Sequence, residues 1–256
     1  VRVHHDIAGG GDSGEVVVLS NSIGSNLRMW DPQVKPLTDN GFRVVRYDTR
    51  GHGNSPVPPG PYSIADLGGD VVELLDTLGV ASAHFVGLSL GGMTGAWLGQ
   101  HVPSRIRSLT LAFSSARPGN ADMWTQRARQ VRAEGMARIA EGSIGRWFTP
   151  GWIAAHPQRA AELRRMTETT PAEGYASCCE AIAGLDLTAG LGRIGVPTLV
   201  ISGADDAALP PSHGRLIAEG IPGARFEVLA HAAHLGSYEQ AEKFTELLLE
   251  HLKGAR

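Results

Sequence analysis

The chain has 256 residues, which suits one large domain or one domain with an insertion and leaves little room for two unrelated domains. With 42% hydrophobic and 19% charged residues it can bury a full core, which excludes a disordered or fibrous protein. Lys and Arg (23) against Asp and Glu (26) give a net charge of −3 with no basic run, so neither nucleic acid nor an anionic membrane has an electrostatic basis as a partner.

Short apolar, β-branched runs, each followed by Gly, Asn, Asp or Ser, read as buried strands over 16–19, 42–47, 84–86 and 106–112. Between them lie helical spacings, over 64–78 (Ile64, Leu67, Val71, Leu74, Leu75, Leu78) and over 90–101. Strand and helix alternate, which predicts an α/β fold: a mostly parallel sheet with helices on both faces. From 117 to 186 the pattern changes to helix after helix, with Trp124, Met136, Ile139, Trp147 and Phe148 among its apolar residues. Pro118-Gly119 and Gly195-Val196-Pro197 are its seams. Strands resume over 198–201 and 225–229, and a last helix is expected near 240–252. The expected organisation is a core of 1–116 and 187–256 with a helical cap over 117–186. Adjacent Cys178 and Cys179 do not favour a disulfide and give no zinc pattern, and no stretch reaches the ~18 apolar residues of a membrane span. The expectation is a cytoplasmic protein without metal or cofactor.

Gly87-Leu88-Ser89-Leu90-Gly91 matches G-x-S-x-G, with the strand His84-Phe85-Val86 before it and a helix opening at Gly91-Gly92-Met93. Such a turn lifts a serine hydroxyl off a strand end. A hydroxyl is a poor nucleophile near neutral pH and needs a base, itself held by a carboxylate; in the fold that carries this turn motif the chain order is Ser, acid, His. Downstream, the strand ending at Ser202-Gly203 runs into Asp205 and Asp206, and His231 and His234 follow the next strand. The reaction also needs two N–H donors for an oxyanion. Leu90 supplies one, and Ile23, in the turn Asn21-Ser22-Ile23-Gly24 after the first strand, is the candidate for the other. Asp48-Thr49-Arg50-Gly51-His52-Gly53-Asn54-Ser55 reads as architecture, with Asp48 and Arg50 tying the turn.

With these residues the chain resembles the α/β-hydrolases over nearly its whole length. The G-x-x-D spacing from Gly203 resembles their acid turn and favours Asp206, with Asp205 as the alternative; His234-x4-Glu239 resembles their histidine loop and favours His234 over His231. Within the superfamily the chain is similar to 3-oxoadipate enol-lactonases. That similarity rests on 20–24 with Met29-Trp30-Asp31-Pro32-Gln33, on Arg46-Tyr47-Asp48, and on the cap segment Gly174-Tyr175-Ala176-Ser177-Cys178-Cys179. The run Gly236-Ser237-Tyr238 after His234 departs from the family pattern.

The resemblance implies a Ser89–His234–Asp206 triad, an acyl-enzyme, a lactone substrate bearing a carboxylate, and a place in aromatic-compound degradation. Trp124, Arg127 and Trp147 are the candidate substrate contacts. Cys178 and Cys179 read as buried apolar residues rather than a redox pair. Competing readings are a carboxylesterase, a meta-cleavage-product hydrolase, a perhydrolase, or a non-catalytic ligand receptor on the same fold. A haloalkane dehalogenase is disfavoured, because that chemistry needs a carboxylate where Ser89 stands.

Overall fold

The structure is a computed structural model that describes residues 1–11 and 14–255. Among these residues seven strands form one sheet: β1 (His5–Ala8), β2 (Val16–Ser20), β3 (Arg43–Tyr47), β4 (Ala83–Leu88), β5 (Ile106–Ala112), β6 (Thr198–Gly203) and β7 (Arg225–Leu229). Their order across the sheet is β1-β3-β2-β4-β5-β6-β7, and only the β1–β3 pair is antiparallel. The mostly parallel α/β sheet expected from the alternating pattern is the one found. The edge strand β1 was not expected. Its sequence, His-Asp-Ile-Ala, lacks an apolar run, and it is fastened instead by Arg46 on β3, whose guanidinium reaches Asp6 at 2.7 Å.

The helices α1 (Asp31–Asp39), α2 (Ile64–Thr77) and α3 (Leu90–His101) connect the first strands, and α4 (Ala121–Glu134), α5 (Ala137–Trp147), α6 (Pro150–Ala155), α7 (Pro157–Glu168) and α8 (Ala172–Ala183) follow β5. The chain then returns through β6, α9 (Pro211–Gly220), β7, α10 (Gly236–Glu239) and α11 (Ala241–Gly254). A capping box between Ser63 and Asp66 starts α2 where the apolar spacing begins. Helices cover both faces of the sheet, so alternate strand residues enter two cores. Val18, Phe85 and Val200 pack with Leu67, Val71 and Met93 of α2 and α3, and with Ile217 of α9. Val17, Leu19, Val86, Leu199 and Ile201 pack with Leu37 of α1 and with Phe244 and Leu248 of α11.

The helices between β5 and β6 divide between these cores and a third cluster. Ile144, Trp147, Leu163 and Met166 of α5 and α7 join the second core, whereas Ala128 and Val131 of α4 pack with Tyr175 and Cys179 of α8. The two cysteines are free and buried, with Cys178 turned into the first core and Cys179 towards α4. No helix among the described residues is long and apolar enough to cross a membrane.

Strand order also fixes where a ligand can enter. After β2 the chain goes to one side for β3 and then to the other for β4, so the loops at the carboxyl ends of β2 and β4 diverge. In register Ser20 lies opposite Gly87, which brings the turn holding Ser22 and Ile23 beside the one holding Ser89.

Candidate active site

Ser89 sits between the last residue of β4 and the first of α3, with φ 57° and ψ −112°. A non-glycine residue at positive φ is strained, and the surroundings must hold it there. Here they do so from two sides. The Ser89 N–H donates to Ala112 O of β5 at 2.9 Å, and its carbonyl accepts from Ser114 Oγ at 2.8 Å. On the other side Gly91 N–H donates to Asn21 O at 3.0 Å. The turn closes only because its flanks are bare: a Cβ on Gly87 would collide with the Gly91 carbonyl, and one on Gly91 with the Ser20 carbonyl.

The loops after β6 and β7 bring in the other two groups. His234 Nδ1 lies 2.8 Å from Asp206 Oδ2, and both side chains are buried. The second oxygen of Asp206 accepts the N–H groups of Ala208 and Leu209 at 2.9 and 3.0 Å, so the carboxylate is held from both ends. Because a carboxylate only accepts, this bond places a proton on Nδ1 and leaves Nε2 of neutral His234 as the acceptor. Asp205 and His231 lie elsewhere: both are exposed and line an outer groove with Ala207 and Thr149. Glu239 ties the histidine loop to the inserted helices by accepting from Ala233 N–H at 2.8 Å and Thr149 N–H at 3.0 Å. Leu235 N–H adds a bond to Trp147 O at 2.9 Å.

Ser89 and His234 share a cavity of about 240 Å³ with Ser22 and Ile23 from the loop after β2. Trp124 and Arg127 of α4 and Arg146 and Trp147 of α5 line it as well, with Thr167 and Tyr175. Leu90 opens α3 directly after Ser89, where the first N–H groups of a helix point outward.

The model of the alpha/beta hydrolase fold matches residues 15–241. The chain belongs to the α/β-hydrolase family. This α/β-hydrolase is 44% identical to 3-oxoadipate enol-lactonase 2 of Acinetobacter baylyi, over 89% of this chain and 85% of that protein. Among solved structures it is similar to the enol-lactonase from Burkholderia xenovorans LB400, with a TM-score of 0.95, 44% identity, and coverage of 98% of this chain and 96% of that one. A thermophilic esterase from Thermogutta terrifontis, solved with malate bound, aligns with a TM-score of 0.93 and 31% identity over 99% and 93% of the two chains.

Several cavity residues of this hydrolase carried no sequence signature. Arg146 is the main one. Among the described residues neither Arg146 nor Arg127 has an ion-pair partner; Arg127 lies over the Trp124 ring, 4.8 Å from its centroid. The Arg146 pKa is lowered, first by desolvation and then by repulsion from Arg127. Two cations facing one small cavity without a carboxylate is an unfavourable arrangement that an anion would relieve. Ser22 Oγ and Thr167 Oγ1 line the same cavity and have no protein hydrogen-bond partner among the described residues, so both are available to a ligand there. Tyr175 is kept as the neutral phenol, its pKa raised by burial.

The turn over 48–55 differs from its expected form in one respect. Asp48 does tie it, accepting from Leu27 N–H at 2.8 Å and Asn54 N–H at 2.9 Å. Arg50 leaves the turn and forks onto buried Asp70 of α2, at 2.6 and 2.7 Å.

Proposed function

We propose that this α/β-hydrolase opens 3-oxoadipate enol-lactone to 3-oxoadipate by covalent catalysis at Ser89, as a step in the degradation of aromatic compounds. The observation that carries this reading is the cavity itself: a serine on a strained turn and a carboxylate-held histidine share it with two arginines that, among the described residues, lack a carboxylate partner. The 44% identity to a 3-oxoadipate enol-lactonase supports the choice of lactone. The malate bound to the related esterase supports a cavity suited to carboxylates.

In this mechanism Ser89 Oγ attacks the lactone carbonyl while His234 Nε2 takes its proton. Asp206 holds the imidazole in the required tautomer and stabilises the imidazolium. The N–H groups of Leu90 and Ile23 receive the oxyanion. Collapse breaks the bond from the carbonyl carbon to the ring oxygen, which leaves as an enolate, a better leaving group than an alkoxide. His234 returns the proton, and ketonisation of the enol opposes the reverse step. Water, deprotonated by His234, then cleaves the acyl-enzyme and restores Ser89. Arg127 and Arg146 receive the substrate's free carboxylate, and Trp124 and Trp147 supply the apolar walls. Residues 117–186 act as a cap that closes the site over the sheet.

The test is loss of the ultraviolet absorbance of enzymatically generated enol-lactone on adding the protein. Ser89→Ala should abolish turnover, by at least about 10⁴-fold, with folding intact. Brisk hydrolysis of aryl esters without turnover of the lactone would replace this substrate with a simple ester. Retained turnover in Ser89→Ala would overturn the mechanism.

A further inference from the structure

His52 lies in the turn over 48–55 and does not line the cavity, yet it is fully buried and spends both ring nitrogens on backbone. Gly24 N–H donates to His52 Nε2 at 3.0 Å, and His52 Nδ1 lies 3.2 Å from Arg50 O. A carbonyl only accepts and an amide N–H only donates, so these partners fix the tautomer. The proton is on Nδ1, and Nε2 presents its lone pair to Gly24. Burial lowers the His52 pKa to about 4, which agrees with a ring that must stay neutral.

Gly24 follows Ile23 directly. The two residues form the centre of a turn closed by Ser25 N–H donating to Ser22 O at 3.3 Å, and Gly24 takes φ +74°. Positive φ at the third turn position leaves the central peptide's N–H directed out of the turn, so an acceptor there decides which way that peptide faces. His52 is that acceptor. Tyr175 of α8 closes the opposite side, where a Cβ on Gly24 would come within 3.0 Å of its Cε2 atom. The rings of Tyr175 and His52 are 6.5 Å apart.

We propose that His52 is a positioning residue for the oxyanion site: by accepting from Gly24 N–H it fixes the Ile23–Gly24 peptide and, through the torsions of Ile23, the preceding peptide, so that the Ile23 N–H faces the oxygen of the carbonyl attacked by Ser89. This rests on the proposed role of Ile23. His52 touches no substrate; it acts through one backbone bond that a neutral ring or another neutral acceptor of equal reach can make. Gln places an amide oxygen near the position of Nε2, whereas Asn reaches only to that of Nδ1, and Phe keeps the ring without an acceptor.

The experiment compares His52→Gln, His52→Asn and His52→Phe on the enol-lactone and on p-nitrophenyl acetate, with melting temperature as the check on folding. Removing an oxyanion donor costs about 10²–10³ in kcat, and loosening one costs less. His52→Asn and His52→Phe should therefore lower kcat about 10–100-fold with KM within about twofold, and His52→Gln should stay within about fivefold of wild type. Inactivation of Ser89 by an aryl phosphonate should slow in parallel with kcat, because its phosphoryl oxygen uses the same donors. Equal losses in Gln and Asn, a change confined to KM, or wild-type kcat in a folded Phe variant would each overturn the inference. If the Phe variant does not fold, the Gln and Asn pair decides. Wild-type turnover of the aryl ester but not of the lactone removes the substrate reading and leaves this comparison intact; turnover of neither overturns both.

Discussion

The strand-end turns and the inserted helices meet in one cavity but are held by different means. At the ends of β4, β6 and β7 the groups are buried and held by hydrogen bonds: the backbone of Ser89 by Ala112 O and Ser114 Oγ, and the carboxylate of Asp206 by the N–H groups of Ala208 and Leu209. The helices α4 and α8 are joined by a small apolar cluster and by Arg132, which spans the surface to Glu173 at 2.8 Å and Glu180 at 2.5 Å. Exposed pairs of that kind contribute at most about 1 kcal/mol each. The cavity-facing Arg127 of α4 and Arg146 of α5 have no carboxylate partner among the described residues. In the mechanism proposed above, the strand-end groups carry out the chemistry and Arg127 and Arg146 of the helices receive the substrate carboxylate. Changes at the strand ends should therefore act on kcat and changes in the helices on KM.

The sharpest test lies at the adjacent acids. Asp206→Asn should lower kcat by about 10⁴, since it disturbs the histidine tautomer, while Asp205→Asn should stay within about twofold of wild type. Steady-state kinetics on the pair checks this, and the reverse ranking would move the acid to Asp205. Next in size are Arg127→Gln and Arg146→Gln. Hydrogen bonds to a charged group are worth about 1.5–3 kcal/mol, so each change should raise KM for the carboxylate-bearing lactone about tenfold or more relative to KM for neutral phenyl acetate. An equal rise for both substrates would mean that the arginines shape the pocket without reading charge.

The third effect leaves turnover aside and falls on stability, at the turn after β3 that holds His52. Burial lowers His52 from its ordinary 6.5 to about 4, so between these values the unfolded chain takes up a proton that the folded chain refuses. Stability is then lost as pH falls through that window, by up to about 3 kcal/mol. His251, also lowered by burial, acts in the same direction. Urea midpoints between pH 6.5 and 4 should show the decline, and His52→Gln should flatten it.

What could be read from the sequence follows the same division. Strands β2, β4 and β6 were legible because they are buried along their whole length and largely apolar, and β3, β5 and β7 because a few apolar, mostly β-branched or aromatic residues survive among their polar ones. Their exits were legible because a turn that must expose a serine needs glycine around it. Strand β1 was not, since its pairing depends on β3 and on Arg46 rather than on its own residues. Helix α1 carries Pro36 inside it and α9 carries Gly214, which blunt the helical signal. Trp124, Arg127 and Trp147 could be named only as residue types, and the structure brings all three to the cavity. Arg146, Thr167 and Tyr175 arrive from three different helices, and no spacing relates them. His52 looked like part of a turn because its partner, Gly24, is remote in sequence.

The positive φ at Ser89 has a consequence for folding. That conformation is held by the loop after β2, by Ala112 of β5 and by Ser114, two residues beyond β5, none of which is local to the turn. An isolated β4–α3 segment, or a collapsed chain before the sheet is assembled, has no reason to pay for it. In the proposed mechanism the nucleophile therefore comes into being with the native sheet and not before, so hydrolytic rate should track the fraction of correctly assembled molecules.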